Sequence, residues 1–238
     1  MKHLNQCKNE SFNFKSLTSY KTESFNFKSL PLYITEYIIK KKLDKPINSE
    51  DHYEYFPKTK EELIKNIEEC LDSKNYNLNC IDTSKITDMS NLFDSGNYNK
   101  TLDNIDISKW DVSKVKHMSG MFAGYENFNC DLSKWDVSKV KNMKGIFSWC
   151  VKFNCDLSKW DVSNVTDMSF MFDSCKNFNC NLSKWNVSNV EDMSCMFNGC
   201  EKFEAEGLNK WNVNKVKDKE MMFYGCIALK NKPSWYKE

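Results

Sequence analysis

The chain has 238 residues, with 34 Lys+Arg against 33 Asp+Glu and a formal net charge of +1. That balance argues against a generic nucleic-acid binder, and the length suits one extended domain with an N-terminal addition. No run of 18 apolar residues occurs, so no membrane span is expected. The first residues lack an apolar core of the kind a secretory signal carries, so a cytoplasmic location is expected, with the cell surface as the alternative.

Residues 1–56 form an N-terminal extension without a clear period. Glu10-Ser-Phe-Asn-Phe-Lys-Ser-Leu17 recurs as Glu23-Ser-Phe-Asn-Phe-Lys-Ser-Leu30, a tandem duplication with a 13-residue offset. It reads as a slippage product or a docking motif. An apolar run, residues 32–39, comes next and ends at Lys40-Lys-Lys42. Residues 57–80 read as a capping helix and lead-in. Thr59 followed by Glu62 is a capping box, and Leu63, Ile64, Ile67, Cys70 and Leu71 make one apolar stripe that predicts a helix covering the open N-terminal end of residues 81–238.

Residues 81–238 repeat. Trp110, Trp135, Trp160 and Trp185 are spaced by 25 residues and Trp211 follows after 26. Counted from each Trp, the second and fifth positions are Val, the eighth is Met up to Lys219, and the twelfth is Phe. A degenerate unit begins near Ile81, and Trp235 is placed to close the series. Units thus begin near residues 81, 110, 135, 160, 185 and 211, with a C-terminal cap near 235. Such a period signals stacked repeats. Trp135 and Val137 alternate with polar neighbours, which is strand-like. Val140, Met143, Ile146 and Phe147 recur at threes and fours, which is helix-like. The expected fold is therefore α/β: a leucine-rich-repeat-like solenoid of stacked units, each a short parallel strand plus a short helix or 3-10 turn, with an N-terminal capping helix.

The unit at residues 153–172, Phe-Asn-Cys-Asp-Leu-Ser-Lys-Trp-Asp-Val-Ser-Asn-Val-Thr-Asp-Met-Ser-Phe-Met-Phe, resembles the repeat of the BspA-like leucine-rich-repeat surface proteins. The resemblance runs over roughly residues 57–230. It implies a leucine-rich-repeat solenoid, binding to other proteins including adhesion to host surfaces, and no catalytic residues.

The repeated side chains divide into core and surface. Trp, Val, Met and Phe columns read as core. Cys150, Cys175, Cys200 and Cys226 share one column and Cys130, Cys155 and Cys180 another. They read as small buried hydrophobes in a reducing compartment. Asn129, Asn154 and Asn179 read as a ladder satisfying buried amides of neighbouring coils. Asp111, Asp136 and Asp161 follow the Trp, and Asp106, Asp131 and Asp156 precede it by four. Stacked carboxylates suggest calcium, but seven Gly in the whole chain and the switch to Asn in later units favour Asx turns and solvated positions. Lys109, Lys134, Lys159, Lys184 and Lys210 precede the Trp and, with Asp111, Asp136 and Asp161, form the candidate interaction surface. His3, His52 and His117 are scattered and no nucleophile, phosphate-loop or metal-spacing motif is present, so no cofactor and no enzymatic activity are expected. The expected role is a non-enzymatic protein-interaction module with a protein partner of unknown identity. The alternatives are a surface adhesin and an unrecognised enzyme.

Overall fold

A computed structural model describes residues 53–93 and 104–237, within the larger of two units, Asn48–Glu238. The duplicated segment, the apolar run 32–39 and the extra residues of the first repeat lie outside the described residues.

The α/β expectation is overturned. The described residues hold one α-helix, two 3-10 turns and no β-strand. Parallel pairing is reduced to single bridges, as in the series Asp88, His117, Asn142, Asp167, Asp192 and Asp218, one residue per repeat. The repeat is instead a chain of four-residue turns. In the unit around Trp135, amides donate to carbonyls three residues back: Trp135 to Leu132, Val140 to Val137, Ile146 to Met143, Cys150 to Phe147 and Phe153 to Cys150. Each turn has an apolar residue at both ends and mostly polar residues between. The two ends are buried and most of the middle residues face water. Two turn ends separated by one residue, as Trp135 and Val137, imitate a strand. Successive turn ends, as Val137, Val140, Met143 and Ile146, imitate a helix.

Two devices stop either regular structure from propagating. The first is the Asx turn. Asp131, Asp136 and Asn142 each accept, through Oδ1, the amide two residues on, at 2.9, 3.1 and 2.9 Å. Such side-chain bonds compete with helix and strand pairing. The second is a left-handed residue in each of two consecutive turns. The tenth position after the Trp is Asn91, Gly120, Gly145, Phe170, Cys195 and Met221, and the fourteenth is Gly124, Trp149, Ser174, Gly199 and Gly225; all have positive φ. This is the third residue of its turn, where a positive φ favours Gly.

Neighbouring repeats are joined by backbone bonds from alternate residues. Met143, Gly145, Phe147 and Trp149 donate to Asp167, Ser169, Met171 and Asp173 of the next unit, at 2.7–3.1 Å. The core between them is laddered. Phe93, Phe122, Phe147, Phe172, Phe197 and Phe223 stack at 5.6–5.7 Å, and Phe128, Phe153, Phe178 and Phe203 form a second column beside them. The five repeat tryptophans are 3–5 % exposed. Each indole is tied to an earlier coil: Trp135 Nε1 donates to Ile107 O at 3.2 Å, Trp160 to Leu132 O at 3.0 Å and Trp185 to Leu157 O at 2.9 Å.

The ends have their own devices. Helix α1 (Lys60–Asp72) is capped by Thr59, whose hydroxyl accepts from the Glu62 amide, while Glu62 accepts from the Lys58 amide rather than from Thr59 itself. It buries Leu63, Ile67, Cys70 and Leu71 in the same cluster as the first repeat. Lys60 reaches across to Ser90 O. At the other end Trp235 stacks on Trp211 at 6.4 Å and donates to Leu208 O.

Replacing Trp160 by Ala removes a buried ring and the indole bond to the Leu132 carbonyl, which keeps only the Trp135 amide. The expected loss is about 3–5 kcal/mol, read by denaturant unfolding. A loss below about 1 kcal/mol contradicts the core assignment of the Trp column.

Candidate interaction surfaces

Lys109, Lys134, Lys159, Lys184 and Lys210 are exposed, one per coil. Lys134 is the third residue of the turn Leu132–Trp135, so the turn itself directs its side chain away from the buried ends. Asp111 is half-buried, and Asp136 and Asp161 are exposed. Their carboxylates hold the amides of Ser113, Ser138 and Ser163 at 3.0–3.1 Å. These aspartates are therefore turn-formers first. The fields of Lys109, Lys134 and Lys159 act on Asp106, Asp131 and Asp156, three residues before each lysine, while Asp136 feels Lys139. A shallow recess on this side is lined in part by Asp106, Lys109, Asp131 and Lys134.

Several of the Asx carboxylates are held low. Asp131 and Asp136 are lowered by the hydroxyl and amide of Ser133 and Ser138 respectively, and Asp156 by the amide and hydroxyl of Ser158. Asp88, in the bridge series, is opposed by burial, yet Ser90 and Lys60 bring it below its ordinary value. That third Asx column also holds Asp167 and Asp192, each accepting the amide and hydroxyl of the Ser two residues on. It was legible as a further Asp-x-Ser at Asp88, Asp167 and Asp192, since Asp167-Met-Ser169 repeats the pattern of Asp156-Leu-Ser158.

The asparagine ladder is present but exposed. Asn129, Asn154 and Asn179 accept through Oδ1 from the amides of Asn154, Asn179 and Glu204 at 2.9–3.0 Å. They clip coil to coil at the surface and do not serve buried amides. The thiol column is buried as expected, with Cys150, Cys175, Cys200 and Cys226 donating to Phe122, Phe147, Phe172 and Phe197 carbonyls at 2.9–3.0 Å. Burial pushes the Cys226 thiol up to about 12. Among the described residues no three His, Cys, Asp or Glu side chains gather as a metal site.

A second surface escaped the sequence reading. The left-handed positions carry exposed apolar side chains in the later repeats: Trp149 at 57 %, Met221 at 45 % and Phe170 at 37 %, with Tyr224 also exposed. A Cβ on Gly145 would lie 4.0 Å from that of Phe170, and one on Gly199 would meet Ser174, so each left-handed column is continuous along the stack. Lys144 Nζ sits 5.7 Å from the centre of the Phe170 ring. Cys195, between Phe170 and Met221 in its column, is raised by burial and then by Asp173, Asp218, Glu220 and Asp192, so the edge is acidic there. The signal was a column reading Gly120, Gly145, Phe170, Cys195 and Met221, where glycine and bulky residues share one slot.

These features define a protein of stacked, turn-built repeats whose variable side chains lie on its corners. A family model described as "Mycoplasma protein of unknown function, DUF285" matches residues 61–172 and again 146–237, and the chain belongs to that family. The two matches overlap over a whole unit, as a repeat allows. No curated protein and no solved structure matches the chain. Among the described residues no helix is long and apolar enough to cross a membrane.

Because the folded Asp131 and Asp136 carboxylates titrate below their unfolded value of 3.8, their contribution is whole above that value. It is lost as pH falls through the lower folded values. Stability is therefore flat near neutrality and drops below about pH 4. Asn fills the same slots at Asn142, Asn181 and Asn186 with the same bond. The double variant Asp131→Asn and Asp136→Asn is expected to shallow the acid limb while changing neutral stability by under about 0.5 kcal/mol. An unchanged acid limb, tracked by denaturant midpoints from pH 7 to pH 2, contradicts it.

Proposed function

We propose that the chain is a non-enzymatic protein-interaction module that contacts its partner through the left-handed edge. The observation that carries this is the occupancy of that edge. The turns there favour Gly, and several repeats supply Gly in one column or the other. Trp149, Phe170 and Met221 instead put bulky side chains in left-handed backbone, at about 1–2 kcal/mol each, and leave between a third and somewhat over half of each in water. Strain of this kind at exposed positions is characteristic of functional sites, and exposed aromatics are characteristic of contact surfaces. The carboxylates around Cys195 set the partner's chemistry: a protein segment bearing Lys or Arg beside apolar side chains. Lys144 over Phe170 is an internal example of the cation–ring contact such a segment would make.

Trp149 is the exposed tryptophan among the described residues, so it serves as its own reporter. A labelled peptide of alternating Lys and Phe is the probe, with a Glu and Phe peptide as control. Binding to the Lys peptide, with a Trp149 emission shift, is expected. The variant with Trp149→Gly and Phe170→Gly is expected to bind about tenfold more weakly, a difference of about 1.4 kcal/mol. Its stability is expected to change by less than about 1 kcal/mol, since relief of the left-handed strain offsets lost ring burial. Equal binding of both peptides, or undiminished binding by the Gly variant, overturns the edge as the contact. Loss of binding on replacing Lys134, Lys159 and Lys184 by Glu moves the contact to the lysine column.

The location we infer is a reducing, cytoplasmic one. The support is the thiol column, whose members are buried and hydrogen-bonded as thiols. The resemblance to the BspA-like repeat favours the surface adhesin instead. An epitope-tagged chain that resists protease in intact cells and is cut after lysis fits the first, and cutting in intact cells fits the adhesin.

A further inference from the structure

The cysteines outside the buried column behave differently. Cys70 lies in the last turn of α1 and Cys80 ends the 3-10 turn Leu78–Cys80. Their sulfurs are 3.9 Å apart. The ladder thiols, by contrast, point at carbonyls of the adjoining coil, at 2.9–3.0 Å. Cys70 is buried and Cys80 is half-exposed. One sulfur of the pair is thus open to a small oxidant and the other waits directly behind it.

We propose that Cys70 and Cys80 are a redox-active thiol pair, with a hydroperoxide as oxidant, whose disulfide fastens α1 to the lead-in of the first repeat. Cys80 sulfur attacks the outer peroxide oxygen, breaking the O–O bond. The alcohol leaves with a proton, and Cys80 becomes a sulfenic acid. Cys70 sulfur then attacks Cys80 sulfur, the S–O bond breaks, and hydroxide leaves with the Cys70 proton as water. Two thiols are oxidised to one disulfide and one peroxide is reduced to alcohol and water. A dithiol reductant resets the pair by exchange.

The setting assigns these roles. The hydrogen bond from Cys70 holds the Cys80 thiol below its ordinary value against the effect of burial, and Asn75 Nδ2 adds a contact at 3.8 Å. The same bond, followed by burial, raises Cys70. Nucleophilic attack belongs to the sulfur with the greater thiolate share, which is Cys80. A disulfide needs about 2.05 Å between sulfurs, so the two must approach further. The backbone on both sides is already tied: the Asn75 amide donates to Cys70 O at 2.9 Å, and the Glu54 amide donates to Cys80 O at 2.7 Å. The approach therefore falls to side-chain rotation and a small shift of the 3-10 turn.

The consequence is local. Lys60, at the other end of α1, holds the helix to Ser90 of the first repeat. The disulfide adds a second tether at the helix C-terminus. Oxidation thereby locks the element that shields the first coil.

The test uses the full-length reduced chain. It is exposed to one equivalent of hydrogen peroxide, alkylated under denaturing conditions, and cut with trypsin, which cleaves between the two cysteines at Lys74. A peptide pair joined through Cys70 and Cys80, lost on treatment with dithiothreitol, is expected. So is a higher melting temperature for the oxidised wild-type chain. Cys70→Ser is expected to leave a Cys80 sulfenic acid that dimedone traps, and Cys80→Ser to abolish both products. The wild-type peptide map needs no variant, so a folding defect in either leaves the test intact. Free, fully alkylated Cys70 and Cys80 after peroxide, or oxidation falling first on Cys130, Cys180 or Cys195, overturns the proposal.

Discussion

The interaction on which the rest depends is the bond from an Asp or Asn side chain to the amide two residues later. It recurs up to three times in a repeat, as at Asp156, Asp161 and Asp167. Each bond fixes a corner and satisfies an amide that a helix or sheet would otherwise have to satisfy. With corners fixed, the residues at turn ends face one interior and the residues between them face water. Burial follows from the corners, not from a helical or pleated period. Isolated, a coil of such turns has few internal contacts. Stacked, it shares alternate backbone bonds with its neighbour and lays Phe on Phe and indole on carbonyl. The aromatic columns add contact energy, of order 0.5–1.5 kcal/mol per ring pair, which no single repeat could supply.

Identical stacking explains why the composition is so narrow. A residue in a given slot meets its counterpart one coil away, so Phe stacks on Phe and Cys meets a carbonyl through the middle units. The Trp slot illustrates the tolerance. Ile81 occupies it in the first unit and still closes the turn to Leu78. The indole bond to the coil before is then simply absent there. The slot asks for an apolar turn end, and the indole adds a hydrogen bond between coils.

Much of this was legible. The period and the core columns come from spacing alone, because a stack forces like onto like. The Asx reading of Asp111, Asp136 and Asp161 also came from composition, since turn glycines were too few for calcium. The secondary structure was misread for a physical reason. A chain of turns places apolar residues at separations of two and three, and those separations are shared by strands and helices. The discriminating sign was a run of equal threes, Val137, Val140, Met143 and Ile146, with Asp136-x-Ser138 at its start and the Asx residue Asn142 within it. A helix would need threes and fours on one face and would tolerate neither the Asx bonds nor left-handed residues. The left-handed edge was missed because φ is not written in a residue name. It shows only when Gly occupies the slot, and six of the seven glycines are left-handed, the seventh, Gly96, lying outside the described residues.

The edge also separates what the fold needs from what the sequence does with it. Where a slot requires positive φ and the chain supplies Gly, as at Gly120, Gly124 and Gly145, folding alone accounts for the residue. Where the same slot holds Trp149 or Phe170, folding argues against the residue twice, through backbone strain and through apolar exposure. The core columns show no such conflict, since their residues are those that packing favours. Two opposing pressures on equivalent slots of one repeated frame mean that the frame does not choose the side chain. The corners are where a stack of near-identical units can differ without disturbing the ladders, because their side chains leave the interior. A repeat built from turns therefore gathers its freedom on its corners. In this chain that freedom holds aromatic rings beside carboxylates, on a backbone whose positions are fixed by the coils above and below. Little ordering is left to be done when a partner meets such an edge, which is the condition under which a few contacts suffice for binding.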